Sequence, residues 1–148
     1  MPSTRFAKLT GETGECAFIW EAARRGLIVS KPYGESAPYD FIVQPRERGP
    51  NGRPGKLSRI QVKTAATFQR THCCYLISVT RGGRHARYAR DEIDFFAVSI
   101  LPLGVWYIIP VASVSTPTLK FFPHVQRSRS RYAKHREAWH LLFDPPSL

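Results

Sequence analysis

The chain has 148 residues, 43% of them hydrophobic and 12% aromatic, which suits one domain with its own core and excludes a disordered chain. Twenty-two Lys and Arg against eleven Asp and Glu leave a formal charge of +11 and a sequence pI of about 10.1. A surface that basic favours a polyanionic partner, nucleic acid first, because each phosphate neutralised releases condensed counterion. No run approaches a membrane span, and residues 1–6 carry no apolar signal core. Three cysteines, Cys16, Cys73 and Cys74, make no disulfide framework, and His72 beside the last two lacks the second ligand pair that a zinc site needs. The expectation is a cytoplasmic protein with buried, reduced thiols and no membrane contact.

In chain order, Thr10 is placed to cap a helix with Glu12 in its first turn, running to about Arg25 and stopped by Gly26. On its wheel Glu15, Phe18, Ile19, Ala22 and Ala23 share one face, so Glu15 ends the apolar, sheet-facing stripe. A carboxylate there is costly unless a cation offsets its desolvation. Glu12 lies nearer the solvent edge, where a first-turn charge suffices. Residues 27–29 read as a short strand and residues 31–37 as a turn-rich loop, with Lys31 and Glu35 as loop charges beside Asp40.

Residues 38–43 and 58–64 then read as the strands of a hairpin. Residues 44–57 join them, and three Pro and three Gly keep that connection out of the core. Side chains alternate along a strand, so Gln61 and Lys63 point one way and Ile60 and Val62 the other. Asp40 opens the first strand, beside the second. An acid, an amide and a lysine thus meet where packing gives no reason to gather them.

Beyond the hairpin, residues 74–79 read as a strand, residues 81–84 as a hairpin tip, and residues 88–92 as a turn or short helix. Residues 95–100 and 105–109 are apolar nearly throughout and pair as a buried hairpin across residues 101–104. A last strand falls at residues 118–122. The segment from His124 then carries Arg127, Arg129, Arg131, Lys134 and Arg136 with no acid before Glu137, and arginines set among serines suit phosphate contacts. Ala138, Trp139, Leu141, Leu142 and Phe143 offer an apolar patch that can dock this tail on the body or on another subunit. Residues 1–122 are expected to form the main domain, with residues 123–148 a basic extension packing on it.

A helix Glu, a strand Asp and a strand Gln-x-Lys, here Glu15, Pro38-Tyr39-Asp40 and Gln61-Val62-Lys63, resemble the PD-(D/E)-x-K nuclease superfamily. The segments around Gly11–Glu15, Gly34–Asp40, Arg59–Ala65, Asp94–Val98 and Trp106–Pro110 look like a small endonuclease branch similar to a cyanobacterial group I intron homing endonuclease. The arrangement also resembles archaeal Holliday-junction resolvases. The likeness spans about residues 8 to 122. It implies an α/β (α+β), restriction-endonuclease-like αβββαβ core, a central mixed sheet flanked by helices. It further implies a Mg²⁺-dependent DNA endonuclease, with Mn²⁺ as a possible substitute, acting as a homo-oligomer (dimer or tetramer) near the nucleoid. Glu15, Asp40 and Gln61 would be the metal ligands and Lys63 the residue that handles the attacking water. Gln61 departs from the usual Asp or Glu and brings no charge. Two other readings accompany this one: a junction-selective resolvase with the same site, and a DNA-binding protein that does not cut.

Overall fold

The computed structural model describes residues 3–81 and 86–143, and the expected tip at residues 81–84 falls almost wholly outside them. One long helix, α1 (Thr4–Arg24), begins the fold. It starts about two turns earlier than the Thr10 cap expected, because Ser3 Oγ accepts the Phe6 N–H and caps it there. Two internal glycines, Gly11 and Gly14, weaken the helix by about 1 kcal/mol each. Gly14 has a reason to be there: a Cβ at that position would overlap Thr64 Oγ1. The helix therefore lies directly on a strand at this point. Gly26, at φ +90°, ends it in a conformation that only glycine adopts without strain.

Five strands form the main sheet: β1 (Leu27–Ser30), β2 (Phe41–Pro45), β3 (Ser58–Ala65), β7 (Phe95–Ile100) and β8 (Val105–Pro110), in the order β1-β2-β3-β7-β8. The first three are antiparallel and β3 pairs with β7 in parallel, so the sheet is mixed. β7 and β8 close the expected buried hairpin, with Gly104 in the left-handed region at φ +62°. Between β3 and β7 lie β4 (Tyr75–Ser78) and the short pair β5 (Thr80–Arg81) and β6 (Ala86–Arg87). β4 pairs with β9 (Thr118–Phe121) as a second small sheet.

The architecture is restriction-endonuclease-like, with a mixed sheet and α1 on one face. The expected second flanking helix is not among the described residues. The β4–β9 ribbon covers the face opposite α1, burying Tyr75, Ile77, Leu119 and Phe121 against Phe96, Val98 and Tyr107. A parallel β3-to-β7 connection needs some crossover, and here strands supply it.

On the helical face, Phe18 stacks on Phe41 at 5.4 Å and on Trp139 at 5.9 Å between ring centroids, with the Trp106 edge at 5.8 Å. The buried stripe of α1 is Gly14, Phe18 and Ala22. Ile19 is 41% exposed and Ala23 is exposed, so the stripe is narrower than the wheel predicts and is rotated away from them. Cys74 is buried as expected, but Cys16 and Cys73 are exposed. Pro45, at the start of the connection expected to avoid the core, is buried as the last residue of β2. The apolar tail packs on the body: Ala138, Trp139 and Leu142 join the helical-face core.

Candidate functional site

β3 runs on past the end of β2. The two strands pair only from Phe41↔Ile60 to Val43↔Ser58, so residues 61–65 have β7 on one side and no strand on the other. The open edge presents unpaired backbone donors, and the first is met by a side chain: Val62 N–H donates to Asp40 Oδ2 at 2.8 Å. The Asp40 N–H in turn donates to the Ile60 carbonyl at 2.9 Å. Asp40 is thereby fixed at the strand end beside Gln61, with Oδ1 left as the oxygen for another partner. The N-terminal half of α1, seated on Thr64 through Gly14, lies along the same edge.

A groove of about 420 Å³ follows this edge, lined by Glu15, Asp40, Gln61, Lys63, Thr64 and Gln69 among others. A second hollow of about 430 Å³ adjoins it, lined by Glu12, Glu15, Lys31, Glu35 and Asp40. Glu15 and Asp40 border both. All four residues singled out from sequence thus line one groove. Alternation along β3 holds as expected: Ile60 and Val62 are buried in the helical-face core while Gln61 and Lys63 are half-buried and reach the groove.

Burial raises the Asp40 carboxyl above its ordinary range; the Val62 N–H opposes that, the Glu15 charge adds to it, and Lys63 and Lys31 oppose it. Burial likewise lowers the Lys63 ammonium, against the pull of Asp40. Lys63 Nζ lies 5.5 Å from the centre of the Tyr88 ring, a face that favours a cation. Two carboxylates and a neutral amide oxygen in one groove form a donor set for a hard cation.

Two features escaped the sequence. Lys31, read as a loop charge, donates from Nζ to Glu15 Oε2 at 2.9 Å and lies 5.3 Å from the Phe41 ring centre. The β1–β2 register, Ser30↔Ile42, puts it there, and nothing local announces that register. Arg59, at the start of β3, is clamped to Asp94 through Nε and Nη2, both at 3.1 Å, and also donates to the Asp91 carbonyl. Burial pushes the Asp94 carboxyl up, but the Arg59 hydrogen bonds and charge outweigh it and hold the group below its usual range. This clamp pins the start of β3 to the start of β7 and so sets the height of Gln61 and Lys63.

No residue of the arginine-rich segment lines the groove or the adjoining hollow. Arg127, Arg129, Arg131, Lys134 and Arg136 are exposed, and Arg136 also donates from Nη1 to the Pro123 carbonyl at 2.8 Å.

A family profile described as PD-(D/E)XK endonuclease matches residues 6–142. The chain belongs to the PD-(D/E)XK endonuclease family. The match runs through the arginine-rich segment, beyond the residues 8 to 122 over which the motifs alone show the likeness. Among solved structures, a bacterial homing endonuclease, I-Ssp6803I, is similar at 28% identity with a TM-score of 0.74, covering 97% of this chain and 94% of that one. No curated protein matches the sequence. No helix among the described residues is long and apolar enough to cross a membrane.

Proposed function

We propose that this chain is a divalent-cation-dependent DNA endonuclease of the homing or restriction type, with Glu15, Asp40, Gln61 and Lys63 as its site. The observation that carries the reading is the open edge of β3. There one groove gathers two carboxylates, an amide oxygen and a lysine whose ammonium burial has weakened. The kinship with I-Ssp6803I supports the homing type.

When bound, Mg²⁺ or Mn²⁺ polarises the phosphoryl group and acidifies the attacking water. Asp40 Oδ1, the Glu15 carboxylate and Gln61 Oε1 would hold it. Asp40 is already oriented by its bond to Val62, so little rotamer freedom is lost on binding. Lys63, close to Asp40 and easier to deprotonate than an ordinary lysine, orients the water and exchanges a proton with it, and as an ammonium it stabilises charge on the phosphorane. Arg127, Arg129, Arg131, Lys134 and Arg136 are proposed as phosphate contacts, a role that Arg136 shares with its bond to Pro123. Two strands cut in one encounter need two sites, so the acting species is proposed to be a homo-oligomer.

The test is cleavage of supercoiled plasmid carrying a library of inserts, with Mg²⁺, with Mn²⁺ and with chelator. Nicking or linearisation that needs metal, and that Lys63→Ala slows by about 10²- to 10⁴-fold while binding to DNA persists, is the expected result. Binding without cleavage by the wild type in either metal would favour a DNA-binding protein whose Gln61 site is idle. Preference for a four-way junction over linear duplex would favour the resolvase.

A further inference from the structure

Glu15 already has a cation. Lys31 Nζ sits 2.9 Å from Glu15 Oε2 while its side chain stays 62% exposed and that of Glu15 32% exposed. The Glu15 hydrogen bond, chiefly, holds the Lys31 ammonium above its ordinary value, with the Glu15 and Asp40 charges adding to it against desolvation. The pair lines the hollow that adjoins the groove, so the ammonium stands on one approach to both carboxylates.

The charge count makes this contact consequential. Glu15 and Asp40 bring two negative charges, Lys31 and Lys63 two positive ones, and Gln61 none. Those five residues are therefore neutral taken together, while Glu12, Glu35 and Lys8 also line the adjoining hollow. A carboxylate at position 61 would have left one negative charge over. Here a dication entering the groove finds half of the proposed ligands' anionic charge engaged by Lys31. It must share Glu15 through the other oxygen, close to the ammonium, or displace it.

We propose that Lys31 governs cation access to Glu15: its ammonium holds the carboxylate and yields before a divalent cation takes it. Lys31 is a positioning residue, acting through Glu15, and the proposal rests on the metal-site reading above. An exposed pair is a weak lock, and its flexible stem lets the ammonium swing aside at little cost. Metal affinity, and not the fold, is what it sets.

The test is calorimetric titration of the full chain with Mn²⁺, and separately with Ca²⁺, at low salt. Lys31→Met keeps the stem and removes the charge, and Lys31→Gln keeps a polar tip. Both are expected to bind Mn²⁺ about fivefold tighter than the wild type, with unchanged thermal melting in chelator. The gain should vanish in a Glu15→Gln background, since Lys31 then has no carboxylate to contest. Equal or weaker binding by both variants, with wild-type binding abolished by Asp40→Asn, would overturn the role of Lys31 and leave the metal site standing. The same gain with and without Glu15 would also overturn it, because a general field effect would then suffice. Absence of binding by every protein would overturn the metal site and this proposal together.

Discussion

Thr64 shows how one side chain can be spent on placing another element. Its Oγ1 is buried without a hydrogen-bond partner, a cost of about 1–3 kcal/mol, and it lies where a side chain at Gly14 would go. Gly14→Ala is expected to destabilise the chain by about 1–3 kcal/mol through overpacking. It should also weaken Mn²⁺ binding, because Glu15 is the next residue along the displaced helix. Thr64→Val, which removes the orphan hydroxyl and keeps the shape, should be neutral or stabilising. Chemical denaturation of the two variants separates these outcomes. A Gly14→Ala protein as stable as wild type would mean that the helix does not rest on β3 at this point.

Among the elements, the short 3₁₀ turn Ala133–His135 lies in the tail, and its last residue, His135, is buried. His135 is 7% exposed and its Nε2 has no partner. Burial first, then the neighbouring Lys134 charge, lowers its pKa below the ordinary 6.5. Above that value the imidazole is neutral in both folded and unfolded chains, and full stability is present. As pH falls through it, the unfolded chain takes the proton first, and stability declines until the lower folded-state pKa is passed. Thermal melts from pH 7.5 to 5 should show this decline, and His135→Phe should flatten it. An equal slope in both proteins would show that other groups carry the acid sensitivity.

Elements were read from sequence about as well as their signals were local. The β2–β3 hairpin, the β7–β8 hairpin and the Gln61/Lys63 alternation follow from periodicity and turn residues, so they were legible. The helix start was not, because Thr10 offers the same kind of capping hydroxyl as Ser3, the one the fold uses. Nor was the β4–β9 ribbon, which replaces an expected helix by pairing strands far apart in the chain. Of the residues that line the groove, Glu15, Asp40, Gln61 and Lys63 are singled out by residue type and spacing. Lys31 depends on a register between β1 and β2, and register is fixed by tertiary packing.

On the scale of the molecule, the two ends of the described chain meet in one aromatic cluster. Trp139 packs on Phe18 and on Trp106, at 5.9 and 5.7 Å, and its Nε1–H donates to Glu137 Oε2 at 2.8 Å. The other oxygen of Glu137 accepts the Trp106 N–H at 2.9 Å, which ties the tail to β8. Trp139→Ala should therefore cost about 3–5 kcal/mol and lower metal binding with it, since α1 loses part of its seat. Denaturation followed by ring fluorescence and by circular dichroism checks this; a loss under 1 kcal/mol would mean the tail only rests on the core.

That stack also orders events in time. Phe18 leaves the ribosome long before Trp139, and at about 5–20 residues per second the interval is roughly ten seconds. For the latter part of it, the nascent chain has β3 and its lysine but lacks the ring that completes the bed under the first helix. The seat of the first helix, and with it the placement of Glu15, is thereby completed only after Trp139 has emerged.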